Sequence, residues 1–235
     1  MKIIDKKTGK RVGAKDREEK DFKRKLKEED PILRNVDKGD FEELSPMDPP
    51  DGYDKDRAID LEHKNMHANL KDLAKEHEEV IVQCDRFDKV LLEFKEGGFR
   101  ITPEINEGFN KFFIYFDEHI LPHNRKEERG LFPILHKRML ETGEHSDGEN
   151  PHTPIDLMED EHIQFIQFAT LSFNFLGLAM RLKDHEAKAV VYDISYNNGK
   201  DLVESIRLHT FREDSTIFPL AQKLLTEEEL NEFYG

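Results

Sequence analysis

From position 66 onward, apolar residues recur at helical intervals. Met66, Leu70, Leu73, His77, Val80, Cys84, Phe87, Leu91 and Phe94 follow one another at alternating steps of four and three. That spacing places all nine on one face of a single helix. Gly97-Gly98 ends the segment. Thr102-Pro103-Glu104 opens a second helix, with Thr as N-cap and Pro at the first helical position. Its stripe carries Phe109, Phe112, Phe116, Ile120, His123 and Glu127. Residues 141–151 read as a loop, and Thr153-Pro154 repeats the start signal for a third helix through about Arg181. A fourth helix is expected from about His185 to Leu225, with Leu202, Ile206, His209, Glu213 and Ile217 inward. Asn197-Asn198-Gly199 is its weak point. Four long helices with short connections predict an all-α, antiparallel up-down four-helix bundle.

Upstream of the bundle the pattern disappears. Residues 1–50 scatter single apolar residues among Lys, Glu and Asp. Such a segment cannot bury enough surface to offset its chain entropy, so it is expected to be disordered, with fleeting helix at 16–29. Ser45-Pro-Met-Asp-Pro-Pro-Asp-Gly52 reads as a linker. The expected organisation is therefore a disordered charged tail and linker over 1–55 and the bundle over 56–235.

Composition agrees with that division. Hydrophobic residues make up only 36% of the chain and charged residues 37%, as a polar tail diluting a real core would give. The net charge of −15 is uneven: residues 1–27 carry +7, whereas residues 61–235 carry −14. An acidic body is a poor partner for nucleic acid, whose phosphates need Lys and Arg. The basic tip reads as a solvated tail. Cys84 is the one cysteine, so neither an internal disulfide nor a cysteine-based zinc site is expected. The first residues form no apolar leader and no run of 18 apolar residues is apparent, so no export and no membrane span are expected. The default location is the cytoplasm.

The eleven histidines change the picture, because all lie at or beyond position 63. Six of the body's residues repeat as a pattern. His123-Asn-Arg-Lys-Glu127-Glu128-Arg-Gly-Leu131-Phe132-Pro133 and His209-Thr-Phe-Arg-Glu213-Asp214-Ser-Thr-Ile217-Phe218-Pro219 share the form H-x-x-x-E-[E/D]-x-x-[L/I]-F-P. A seam histidine precedes each copy, His77 by 46 residues and His162 by 47. The body thus reads as two similar halves. Residues at i and i+4 stand one above the other on a helix. One such pair is ordinarily a surface pair. Two copies on seams instead aim four imidazoles and two carboxylates into an apolar core. That burial is costly without a partner, and a divalent metal removes the cost by making them ligands. Imidazole and carboxylate without thiolate suit iron, manganese or zinc.

At these residues the chain resembles the hemerythrin-like family, the HHE cation-binding domains, over about residues 70–222. The resemblance implies a four-helix bundle holding two non-haem iron ions, with His77, His123, His162 and His209 as terminal ligands and Glu127 and Glu213 bridging. It further implies O₂, NO or peroxide as the small partner, to be bound or sensed. Alternatives are a di-iron oxidoreductase acting on NO or peroxide, in stress response or iron–sulfur repair with a possible redox partner protein, and an iron store or donor. The chain departs from the oxygen carriers of the family, which use five His, one Glu and one Asp. One turn either side of His162 stand Met158 and Ile166, neither suited to iron. The carriers' Asp would fall at Asp214, but the i+4 spacing and the repeat select Glu213, with Asp214 second.

Several neighbours remain open. His119 is either a fifth ligand or a supporting or exposed group. His63 and His67 are expected to be partly exposed, with mobile-ion binding as the alternative. Cys84, Leu131, Phe132, Ile217 and Phe218 read as core, Glu128 as an outward partner of a base. Pro133 and Pro219 are expected to kink or end their helices.

Overall fold

The computed structural model describes residues 66–148 and 150–233, which contain no strand. The expected tail and linker over 1–55, the fleeting helix at 16–29 and His63 lie outside the described residues. Four rods form the bundle, as predicted. The first is α1, Ala68–Glu96. The second joins α2 (Pro103–Tyr115), π1 (Phe116–Ile120), α3 (Leu121–Lys126), π2 (Glu127–Leu131) and α4 (Phe132–Thr142). The third is α5, Pro154–Arg181. The fourth joins α6 (His185–Arg212), π3 (Glu213–Ile217) and α7 (Phe218–Leu224), and a short α8 (Glu227–Glu232) follows. α1 packs on α2 and α6, and α5 packs on α6.

The ends follow from local chemistry. The hydroxyl of Thr102 accepts the Ile105 backbone N–H at 3.3 Å. Thr153 accepts from Ile155, and Asp156 accepts the Thr153 N–H at 2.6 Å, closing a reciprocal cap on α5. His67 caps α1, its ring accepting from the Asn69 N–H. α4 stops where Gly143 takes φ 84°, a left-handed turn that suits glycine.

Every seam residue predicted for α1 is buried. The core is nonetheless split. One apolar cluster gathers Val80, Phe87, Phe112, Phe165, Leu202 and their neighbours. The other gathers Leu70, Leu73, Leu131, Met158, Ile217 and Phe218 with theirs. On each rod the histidine of the site falls between the residues of the two clusters, so a polar layer crosses the bundle.

Of the two outcomes expected at Pro133 and Pro219, a kink or an end, the rods do not end there. Pro122, Pro133 and Pro219 each sit at the second position after a π turn, and the rod continues through them. Proline lacks an N–H and its ring crowds the carbonyl four residues back. One wider turn relieves that conflict without breaking the rod. Asn197-Asn198-Gly199 likewise stays helical inside α6. Gly199 has a packing reason: a Cβ there would lie 2.9 Å from Leu91 of α1 and 3.3 Å from the Ser172 hydroxyl of α5. Beside it, Ser172 and Ser195 donate to one another's backbone carbonyls at 3.1 and 2.7 Å, tying α5 to α6.

Ile163–Met180 holds no charged residue, and α5 is long and apolar enough to cross a membrane by length and composition. Its inner face carries Phe165, Ala169, Ser172 and Leu176 into the bundle, so the helix is apolar on more than one side.

Close approach at Gly199 is testable. Gly199→Ala should be near neutral, helix propensity offsetting a tight methyl by about 1 kcal/mol. Gly199→Val should cost about 1–3 kcal/mol through overpacking, measured by denaturant unfolding.

Candidate metal centre

The polar layer contains all six residues selected from the sequence. His77 comes from α1, His123 from α3, Glu127 from the start of π2, His162 from α5, His209 from α6 and Glu213 from the start of π3. All six are buried, and both glutamates fully so. Their donor atoms form two groups that share both carboxylates: His77, His123, Glu127 and Glu213 in one, Glu127, His162, His209 and Glu213 in the other. Within each group the atoms lie within 4.8 Å of one another.

The spacing fits an ion. His77 Nε2 faces His123 Nε2 at 3.0 Å, and His162 Nε2 faces His209 Nε2 at 3.0 Å. Glu213 carboxylate oxygens lie 3.2 Å from His77 Nε2 and from His209 Nε2. Glu127 oxygens lie 3.3 Å from His123 Nε2 and 3.7 Å from His162 Nε2. Bonds of ~2.1 Å meeting at right angles place neighbouring donors ~3.0 Å apart. These oxygens are within ion-pair reach of the imidazoles, yet none has a hydrogen bond. Four buried carboxylate oxygens without a donor match a site built for cations.

The backs of the rings are equally organised. His77 Nδ1 donates to Asp214 at 2.8 Å and His123 Nδ1 to Glu76 at 2.7 Å. His162 Nδ1 donates to Glu128 at 3.0 Å and His209 Nδ1 to Glu161 at 2.8 Å. Each carboxylate fixes the ring orientation and tautomer and makes Nε2 more basic. Lys126 pairs with Glu76, and Arg212 with Glu161. Phe218 stacks on His77 and Phe132 on His162 at centroid separations of 5.4 and 5.7 Å.

This ring of carboxylates was missed in the sequence. Glu128 was expected to pair with a base; it faces out, but its partner is the site histidine His162. Asp214, the second choice for a ligand, stands behind His77 and not between the glutamates. A signal did exist. Glu76-His77 and Glu161-His162 are a repeated dipeptide, and Lys126 and Arg212 occupy matching positions before Glu127 and Glu213. His119 is exposed, stacked on Tyr115, and belongs to neither group. It lines a groove of about 490 Å³ that also reaches Glu76, His123 and Lys126. A similar groove of about 450 Å³ between α1 and α2 touches none of the six. Met158 is buried in the apolar core, Ile166 is exposed, and neither joins the site. Cys84 is buried in the core, where burial pushes its thiol up to about 12.

The metal-free charge balance follows from the geometry. Burial by itself lowers the affinity of His77 for a proton, but Asp214 and Glu213 outweigh it and raise the residue to about 9. His123 and His209, buried but beside Glu127 and Glu213 respectively, rise to about 10 and about 9. Burial and then the charge of His209 push His162 down to about 4. Burial opposes ionisation of Glu213, but His209 and His77 hold it well below the usual range. His77 and His123 cannot both be charged, because two Nε2 atoms facing at 3.0 Å leave room for a single proton, so each facing pair titrates as a unit. Each histidine pair therefore holds one proton, and the two protons balance two glutamates.

The family model for the hemerythrin HHE cation-binding domain matches residues 57–221. A curated relative, the iron-sulfur cluster repair protein YtfE of Cronobacter sakazakii (strain ATCC BAA-894), is 23% identical over 151 residues. The match covers 61% of this chain and 56% of the relative, so the chain spans a little over half the relative's length. No solved structure matches.

Metal loading should release about two protons per chain near pH 7, counted by calorimetry in buffers of differing ionisation enthalpy. A raised histidine stabilises the fold below its unfolded value near 6.5 and loses that contribution as pH rises through its folded value. The metal-free protein should therefore lose thermal stability between pH 6.5 and about 10, and the loaded protein should not. Separately, His162→Ala or Glu213→Ala should lower metal content and the thermal stability of the loaded protein together. Glu161→Gln should weaken metal binding roughly 10–100-fold. His145→Ala, in the exposed loop, should change neither property in metal analysis and thermal melts.

Proposed function

Since the chain belongs to the hemerythrin HHE cation-binding family, we propose that it is a cytoplasmic non-haem di-iron protein that binds or senses O₂, NO or peroxide. The carrying observation is the pair of buried donor groups sharing Glu127 and Glu213. His77 and His123 would hold one ion, His162 and His209 the other, with the two glutamates common to both. Bound iron supplies reversible redox change and coordination positions for a small ligand. Neutral imidazole and carboxylate donors without thiolate suit iron, with manganese and zinc as competitors.

The rest is done by the chain itself. Asp214, Glu76, Glu128 and Glu161 hold the Nδ1 protons and keep each Nε2 lone pair directed inward. Phe132 and Phe218 cover the layer from one side and exclude water. The groove at His123 gives a small molecule a route along α1 to the edge of the layer. Met158 and Ile166 leave His162 without a companion ligand one turn away, which favours sensing or reaction over stable oxygen carriage. The domain over 56–235 carries this function, and a reducing cytoplasm suits both ferrous loading and a chain with one cysteine.

A second reading is an iron-dependent oxidoreductase acting on NO or peroxide, with a redox partner protein supplying electrons. The relative named for iron–sulfur cluster repair favours it.

Anaerobic purification followed by iron analysis should give about two iron ions per chain, with visible spectra that change on adding O₂ or NO. Less than one iron per intact chain, unchanged by iron supplementation, would refute the di-iron reading. Steady consumption of NO or peroxide with a reductant would select the oxidoreductase.

A further inference from the structure

The outer face of α5 has no role in the metal layer. Ile163, Ile166, Phe173 and Met180 form an exposed apolar row along it, Phe173 and Met180 at 58%, with Leu171 and Leu178 exposed on the far side of Gln167 and Asn174. Scattered exposed apolar residues are ordinary, but a row of them along one helix marks a contact surface. This one is also the longest uncharged stretch of an otherwise acidic body: Ile163–Met180 has no Asp, Glu, Lys or Arg.

The charges at its two ends identify what covers it. At helical spacing the face runs from Asp156, Glu159 and Asp160 through Ile163, Ile166, Thr170, Phe173, Gly177 and Met180 to Arg181. One end is acidic and the other basic. Glu159, Asp160 and Arg181 have no ion-pair partner among the described residues. Two such helices laid antiparallel bring the acidic end of each beside Arg181 of the other, with the apolar stretches between them. A surface that is complementary to itself under a twofold axis is what an isologous dimer requires. Glu159 and Arg181 are equally far from Thr170 in sequence, so pairing them puts Thr170 at the axis. Thr170 and Gly177 are small enough for two helices to approach closely there. The face is about 40 Å long, long enough for two such helices to pair along their full length.

We propose that the outer face of α5 is a homodimer interface, in which a second copy of this chain packs antiparallel across Thr170 with Glu159 of each copy meeting Arg181 of the other. A lipid surface fits less well. Interfacial helices flank their apolar face with Lys and Arg, whereas here one end carries three acidic residues.

The test is sedimentation of the iron-loaded full chain from about 1 to about 200 μM. The expected result is a monomer–dimer equilibrium. Phe173→Glu should raise the dissociation constant at least tenfold (~1.4 kcal/mol), with helicity and iron per chain unchanged. Arg181→Glu should weaken the dimer, and adding Glu159→Arg should restore it. Thr170→Cys should cross-link to itself with a short bismaleimide, which keeps the register testable if Phe173→Glu folds poorly. A monomer at every concentration overturns the proposal, whether or not the chain floats with phosphatidylglycerol vesicles. So does a dimer indifferent to Phe173→Glu, or one that the charge swap fails to restore.

Discussion

One layer of six ionisable side chains, set between two apolar clusters, constrains everything else in this bundle. Burying a carboxylate without compensation costs several kcal/mol, and Glu127 and Glu213 are both fully buried with no hydrogen-bond donor. Positive charge must therefore sit in the layer whenever the bundle is folded. Two occupants satisfy this: one proton on each facing histidine pair, or metal ions shared by the two glutamates. The protons neutralise the layer, but a proton held between two Nε2 atoms leaves the oxygens of Glu127 and Glu213 without a hydrogen-bond donor. A metal ion in each donor group would engage every inward donor at once. Stability and metal binding are thus two aspects of one electrostatic requirement.

The duplication shows how the chain meets that requirement. His123 and His209 take their outer carboxylates from within their own halves, Glu76 and Glu161. His77 and His162 take theirs from the opposite half, Asp214 and Glu128. Each H-x-x-x-E-[E/D] segment consequently serves both halves. Its first acid faces the centre, and its second supports a ring on the other side. A π turn begins at each inner acid, Glu127 and Glu213.

Much of this was legible in the sequence, and the limits are physical. Seams, caps and the i+4 pairs are local and periodic, so the rods and the six inward residues followed from spacing alone. The carboxylates behind the rings were not found, because Glu76, Glu161, Glu128 and Asp214 look like the other 47 acidic residues until helices are docked. Choosing Glu213 over Asp214 rested on a repeat; in the structure Glu213 faces the layer and Asp214 stands behind His77. Pro133 and Pro219 do not end their rods, and nothing local announces the π turn that precedes each of them. Gly199 looked like a weakness in α6, but its reason lies on α1 and α5, far away in sequence.

α5 shows how two demands on one helix become visible in composition. Its inner side must contribute Glu161 and His162 to the layer and Phe165, Ala169 and Leu176 to the core. Its outer side carries the exposed apolar face. A helix with one buried face alternates apolar and charged residues around its circumference. A helix covered on both sides has no position left for charge, and Ile163–Met180 has none. The stretch therefore passes for a membrane span by length and composition, although Glu161 and His162 tie its first half to the polar layer. Withdrawing α5 into lipid would separate His162 from His209 and leave Glu127 and Glu213 facing half their partners. The same layer that requires cations thus holds α5 in the bundle, and leaves its outer face available to another protein surface.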